Sequence, residues 1–79
     1  MRYVYILQSL AIPERHYVGS ASDLKRRFAE HNSGQSIHTN KFKPWKLVIY
    51  VAFSDADKAD KFEAYLKTGS GRTFAKRHF

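Results

Sequence analysis

Leu47-Val48-Ile49-Tyr50-Val51-Ala52-Phe53 is apolar at every position. It falls well short of the ~18 residues needed to cross a bilayer, and its length and β-branched content are those of a strand. Successive strand side chains point to opposite faces, so a run apolar throughout needs cover on both. This predicts a sheet enclosed by helices, with this run as its central strand. Tyr3-Val4-Tyr5-Ile6-Leu7 reads as a first strand, Gln8 to Arg15 with Pro13 as a hairpin loop, and His16-Tyr17-Val18-Gly19 as a second strand. Ser22 or Asp23 caps a helix running to about His31, and Asn32-Ser33-Gly34 stops it. Gln35 to Lys46 is polar and basic without periodicity, and Pro44 stiffens the approach to the third strand. Ser54 or Asp55 caps a second helix reaching about Thr68; Gly69-Ser70-Gly71 ends it, and Arg72 to Phe79 forms a short terminal helix. The order β-β-α-β-α-α predicts an α+β fold, a small three-stranded, mostly antiparallel sheet flanked by helices, as one domain over residues 1–79.

Composition narrows the chemistry. The 79 residues include no Cys, which excludes disulfides, Cys-containing zinc sites and a thiolate nucleophile. A domain this small buries roughly 60% of its unfolded surface, and an aromatic share of 15% helps to fill its core. Lys plus Arg number 14 against 7 Asp plus Glu, a formal charge of +7 that points to a polyanionic partner. Acidic membranes fit less well, because no segment joins a broad apolar face to a fully basic one. With neither a spanning segment nor a secretory apolar stretch, the expected location is cytoplasmic.

Charge then falls on apolar faces. Helical spacing puts Leu24, Arg27, Phe28 and His31 together, and likewise Ala59, Phe62, Glu63 and Leu66. Lys25, Arg26 and Glu30 fall on the solvent side. Turning a guanidinium or carboxylate inward is costly unless it is paired or functional. One reading is an internal Arg27–Glu63 ion pair or side chains reaching to the rim. The other is a phosphodiester site, where the carboxylate holds a hard divalent ion and the guanidinium binds non-bridging oxygens. Tyr3, Tyr5 and Leu7 share one strand face, with Tyr17 expected opposite Tyr5. Paired tyrosines are ordinary packing; alternatively, a phenol serves as general base once neighbouring cations lower its pKa. Gly19 marks either a strand exit or a close approach to substrate.

Lys41, Lys43 and Lys46 interleave with Phe42 and Trp45. This is either a nucleic-acid edge combining phosphate contacts with stacking or a solvated loop around a core Trp45. Gly69-Ser70-Gly71-Arg72 lacks the Lys-Ser/Thr of a P-loop and reads as a helix-closing turn, with Arg72 a candidate phosphate contact. His16, His38 and His78 share no metal-ligand spacing.

Tyr3-Val4-Tyr5, Tyr17-Val18-Gly19, Ser22 to Arg27, His31 to Gly34, Thr39, Pro44-Trp45, Leu47-Val48 and the stretch from Glu63 to Arg72 together resemble the GIY-YIG nuclease family, in its small stand-alone form. The resemblance covers nearly the whole chain. It implies a metal-dependent endonuclease hydrolysing DNA to a 5′-phosphate and a 3′-hydroxyl, on branched or damaged DNA and in DNA repair. It implies Tyr5 as the base, Tyr17 as its support, Arg27 on the scissile phosphate, His31 assisting by hydrogen bonding, and Glu63 holding a single Mg²⁺ or Mn²⁺. Tyr3 stands where the family has the glycine of its first signature, a bulky residue expected to narrow the site. No Asn follows Asn40, although some members use one near the C-terminus. The alternatives are a non-catalytic nucleic-acid-binding module, or a subunit whose protein partner delivers it to substrate.

Overall fold

A computed structural model describes residues 1–79. Strands β1 (Arg2–Ser9), β2 (His16–Ala21) and β3 (Trp45–Phe53) form one antiparallel sheet in the order β2-β1-β3. Helices α1 (Leu24–Ser33), α2 (Ala56–Leu66) and α3 (Gly69–His78) complete the predicted order, with a short 3-10 turn at Asn40–Phe42 before β3.

The central strand is β1, which corrects the expectation for Leu47 to Phe53. Val4, Tyr5, Ile6 and Leu7 are all buried, whereas Tyr50 on β3 is half exposed. Apolar side chains on both faces demand two covering layers, not two neighbouring strands, so the length of the apolar run did not fix its place in the sheet. Both faces are indeed covered. Val4 and Ile6 pack with Ala59, Phe62 and Leu66 of α2 and Phe74 of α3. Tyr5 and Leu7 pack on the opposite face with Leu24 and Phe28 of α1, Phe42 and Trp45. A bulge where β3 passes Ile6 and Leu7 pairs Ile49 with Ile6 but Leu47 with Leu7, keeping each on its own side.

Helix ends follow local chemistry. Asp23 caps α1 by accepting from the Arg26 amide, and Gly34 closes it at φ 85°, in the left-handed region. Asp55 caps α2 by accepting from the amides of Asp57 and Lys58. The predicted stop at Gly69-Ser70-Gly71 is instead the first turn of α3. Thr68 supplies the missing cap, its hydroxyl accepting from the Gly71 amide at 3.0 Å. Packing explains a glycine inside this helix, because a Cβ on Gly71 would lie 1.8 Å from the Tyr65 carbonyl oxygen. Gly69 has open space around it.

These two glycines should therefore respond oppositely to alanine. Gly71→Ala forces α3 off the end of α2 and should cost about 1–3 kcal/mol. Gly69→Ala should be neutral or stabilise by up to about 1 kcal/mol. Urea unfolding midpoints of the two variants check this, and equal shifts would contradict it.

Candidate active site

The site is built where β1 and β2 meet the last turn of α1. Tyr5 points to the α1 face and pairs across the sheet with Gly19, while Tyr17 pairs with Leu7. This corrects the expected Tyr5–Tyr17 opposition: the two are diagonal neighbours, with ring centroids 6.3 Å apart. A Cβ on Gly19 would lie 2.6 Å from Tyr5 Oη and 2.8 Å from Tyr17 Cε2. Gly19 is thus the residue that lets the Tyr5 phenol lie across β2, a close approach rather than a mere strand exit.

His31 comes from α1 and is buried, as its apolar-face position predicts. Its ring lies 5.8 Å from that of Tyr5 and 4.9 Å from that of Tyr17, centroid to centroid. Its Nε2 is 2.9 Å from Tyr5 Oη, and its Nδ1 is 2.7 Å from Oγ1 of the buried Thr39. Arg27, one turn earlier, is half exposed and does not pair with Glu63; its Nη1 donates to Glu30 Oε1 at 3.2 Å. Glu30 also accepts from Arg26 Nε at 3.2 Å, so it orders both guanidiniums rather than facing solvent freely. Glu63 on α2 accepts from Lys67 Nζ at 3.1 Å and is only partly exposed.

Electrostatics ties these groups together. Burial pushes the Tyr5 phenol up to about 12, Tyr17 adds to the rise, the Arg27 charge opposes it, and the Glu63 carboxylate raises it further. Arg27 and Glu63 therefore both act on the Tyr5 oxygen, although they leave from opposite faces of the sheet. The sign departs from the lowered phenol that a general base needs. Without a further cation, burial wins over Arg27. His31 is held below its ordinary value, first by burial and second by Arg27, with Glu30 in opposition. Both members of the hydrogen-bonded pair are therefore neutral near pH 7.

The donor set bears on metals. No group of three or more His, Cys, Asp or Glu side chains converges anywhere, so a closed protein cage is absent. Glu63 offers carboxylate oxygens at a partly exposed position, one of them engaged by Lys67. A lone hard ligand of this kind fits an ion such as Mg²⁺, which keeps most of its waters, and does not suit structural zinc.

Residues 1–77 match the GIY-YIG catalytic domain. The chain belongs to the GIY-YIG family. It is 39% identical over 71 residues to the structure-specific endonuclease subunit SLX1 of Candida dubliniensis, covering 81% of this chain and 25% of that protein. Over 65 residues it is 34% identical to the structure-specific endonuclease subunit SLX1 homolog of Giardia intestinalis, covering 77% and 18%. It is also 31% identical over 72 residues to a UPF0213 protein of Streptococcus pyogenes serotype M3, covering 90% and 76%. The chain thus spans a quarter or less of the two SLX1 relatives' length.

In this GIY-YIG domain the Tyr3 ring packs edge-on against Tyr50 of β3 at 5.9 Å, while the Tyr5 ring lies towards β2. Lys41, Lys43 and Lys46 are exposed around the 3-10 turn and the start of β3, and Arg72 is exposed on α3. Trp45 is buried and its Nε1 donates to the Thr39 carbonyl at 2.9 Å, which removes it as a stacking platform. The Arg15 guanidinium covers Phe42 at 4.9 Å. Sequence reasoning counts Thr39 only as part of the family resemblance and Glu30 only as a solvent-side charge. Thr39 lies in a polar stretch without periodicity, where nothing marks it as buried. Glu30 looks like any solvent-side carboxylate, although its spacing of three and four residues from Arg27 and Arg26 is a usable signal.

The lowered His31 value sets a pH dependence. Burial favours the neutral imidazole, so this contribution to stability is complete above about pH 6.5 and is lost as pH falls through the lower folded value. The melting temperature should fall between about pH 7 and about pH 5. A His31→Asn variant, melted in parallel, should show a flatter profile; identical slopes would refute the assignment.

Proposed function

We propose that this GIY-YIG domain is a metal-dependent endonuclease that hydrolyses DNA phosphodiester bonds, with branched DNA as its substrate and a protein partner that brings it there. The observation that carries the reading is the buried phenol–imidazole pair, Tyr5 Oη to His31 Nε2 at 2.9 Å, held beside a half-exposed guanidinium in a protein of charge +7. The family match supports the reaction class. The printed names of the SLX1 relatives, structure-specific endonuclease subunits, support a branched substrate and a partner.

In this mechanism Arg27 binds the non-bridging oxygens of the scissile phosphate and balances the charge that develops there. Tyr5, in its phenolate form, takes the proton of the attacking water, whose oxygen bonds to phosphorus as the bond to the 3′-oxygen breaks, and the departing 3′-oxygen takes a proton from solvent. The products carry a 5′-phosphate and a 3′-hydroxyl. Tyr17 packs against His31 and keeps bulk water from that side of the ring. Glu63 holds the divalent ion, Mg²⁺ or Mn²⁺, which when bound supplies positive charge to the phosphate and helps to lower Tyr5. Lys41, Lys43, Lys46 and Arg72 contribute phosphate contacts along the strand.

Labelled flaps, forks and plain duplexes incubated with Mg²⁺ or Mn²⁺ test this. Glu63→Ala, Arg27→Ala and Tyr5→Phe should each lose on the order of 10²-fold or more in rate while still binding DNA. Because Tyr5 is largely protonated at neutral pH, wild-type cutting should rise between about pH 7 and about pH 10. Equal residual cutting by wild type and all three variants would mark a contaminant, and binding without divalent-dependent cleavage would show a non-catalytic module.

A further inference from the structure

Thr39 is wholly buried in a loop that is otherwise mostly exposed. Its backbone is fixed on both sides. The amide donates to the Ser36 carbonyl at 3.3 Å, and the carbonyl accepts from Phe42 N at 3.2 Å and from Trp45 Nε1 at 2.9 Å. Its hydroxyl has one partner, Nδ1 of His31 at 2.7 Å. A hydroxyl at a helix start ordinarily caps that helix, but this one makes no cap bond to the 3-10 turn that follows it. The side chain is committed to the imidazole.

The direction of that bond decides what His31 does to Tyr5. A neutral imidazole carries one N–H. If Nδ1–H donates to Thr39, the threonine's own proton is left in the interior with no acceptor, and an unpaired buried donor is costly. If Thr39 donates to a bare Nδ1, the proton of His31 sits on Nε2 and points at Tyr5 Oη, 2.9 Å away. Only the Tyr5 proton is then without a protein acceptor, and it is the proton that Tyr5 must shed to act as the proposed base, whereas the Thr39 proton is never lost. We infer that Thr39 is a positioning residue whose hydroxyl, by donating to Nδ1, fixes His31 as the Nε2–H tautomer and makes it a hydrogen-bond donor to the Tyr5 oxygen. A donated hydrogen bond stabilises phenolate more than phenol, so it favours the basic form of Tyr5 against the desolvation that opposes it. The inference deepens the proposed function and rests on Tyr5 being the base.

Two measurements test it. Imidazole ¹⁵N shifts of the wild-type protein near neutral pH should show His31 protonated at Nε2 and bare at Nδ1. Thr39→Ser should keep that pattern, and Thr39→Val should move the population towards Nδ1–H. In cleavage assays Thr39→Val should lose on the order of 10–100-fold in kcat with KM for DNA unchanged, and Thr39→Ser should recover most of the rate. A wild-type His31 protonated at Nδ1, or a Thr39→Val enzyme cutting at the wild-type rate, overturns the inference. If Thr39→Val fails to fold, the wild-type tautomer and the Thr39→Ser rate still decide. Tyr5→Phe run alongside separates the two levels: full activity there refutes the base reading, whereas the ¹⁵N result judges the tautomer by itself.

Discussion

Tyr5 meets His31 across a sequence separation of 26 residues because of where β1 lies and which way its side chains alternate. As the middle strand, β1 sends Val4 and Ile6 into the layer shared with α2 and α3, and Tyr5 and Leu7 into the layer beneath α1. A shift of one residue in its pairing would exchange the two sets and carry the phenol away from the imidazole. Gly19 is part of the same constraint, since any side chain there would collide with the phenol. The hydrophobic layering of a small domain and the geometry of its polar centre are thus fixed by one register.

That centre is neutral within a strongly basic protein. Burial raises Tyr5 and lowers His31, so both shed charge even though the chain carries +7. The cations stay at the rim. Arg27 is half exposed and held by Glu30, and Lys67 lies on Glu63. Such a division suits a polyanionic ligand: long-range attraction comes from exposed lysines and arginines, while the phenol and imidazole stay dry and fixed. On the proposed reading it also leaves a deficit, since Arg27 alone does not bring Tyr5 into the range of a base, and Glu63 is the carboxylate proposed to recruit the missing positive charge.

Much of this was legible in the residues, for identifiable reasons. Strand and helix order follow from apolar periodicity and from caps such as Asp23 and Asp55, and the inward turn of His31 follows from helical spacing. What periodicity cannot deliver is pairing between segments. It placed Leu47 to Phe53 at the centre, set Tyr17 opposite Tyr5 and allowed Arg27 to reach Glu63, and each of these depends on register or layer rather than on local pattern. Gly69-Ser70-Gly71 misled because glycine usually ends a helix, while here Thr68 caps a new one and Gly71 is small for the sake of the Tyr65 carbonyl.

The loop between α1 and β3 shows how a polar, aperiodic stretch acquires a definite structure. The Asn32 side chain holds the Trp45 peptide from both directions, donating to its carbonyl at 3.1 Å and accepting from its amide at 2.5 Å. Trp45 then fills the layer beneath α1 and ties its indole nitrogen to the Thr39 carbonyl. Thr39 in turn holds His31, the residue immediately before Asn32. The circuit closes on itself, so the loop is fastened to the helix that carries Arg27 and His31 at two adjacent positions. Trp45 therefore bears on the Thr39–His31 contact through packing. In a domain of this size a core aromatic doubles as support for a buried polar pair.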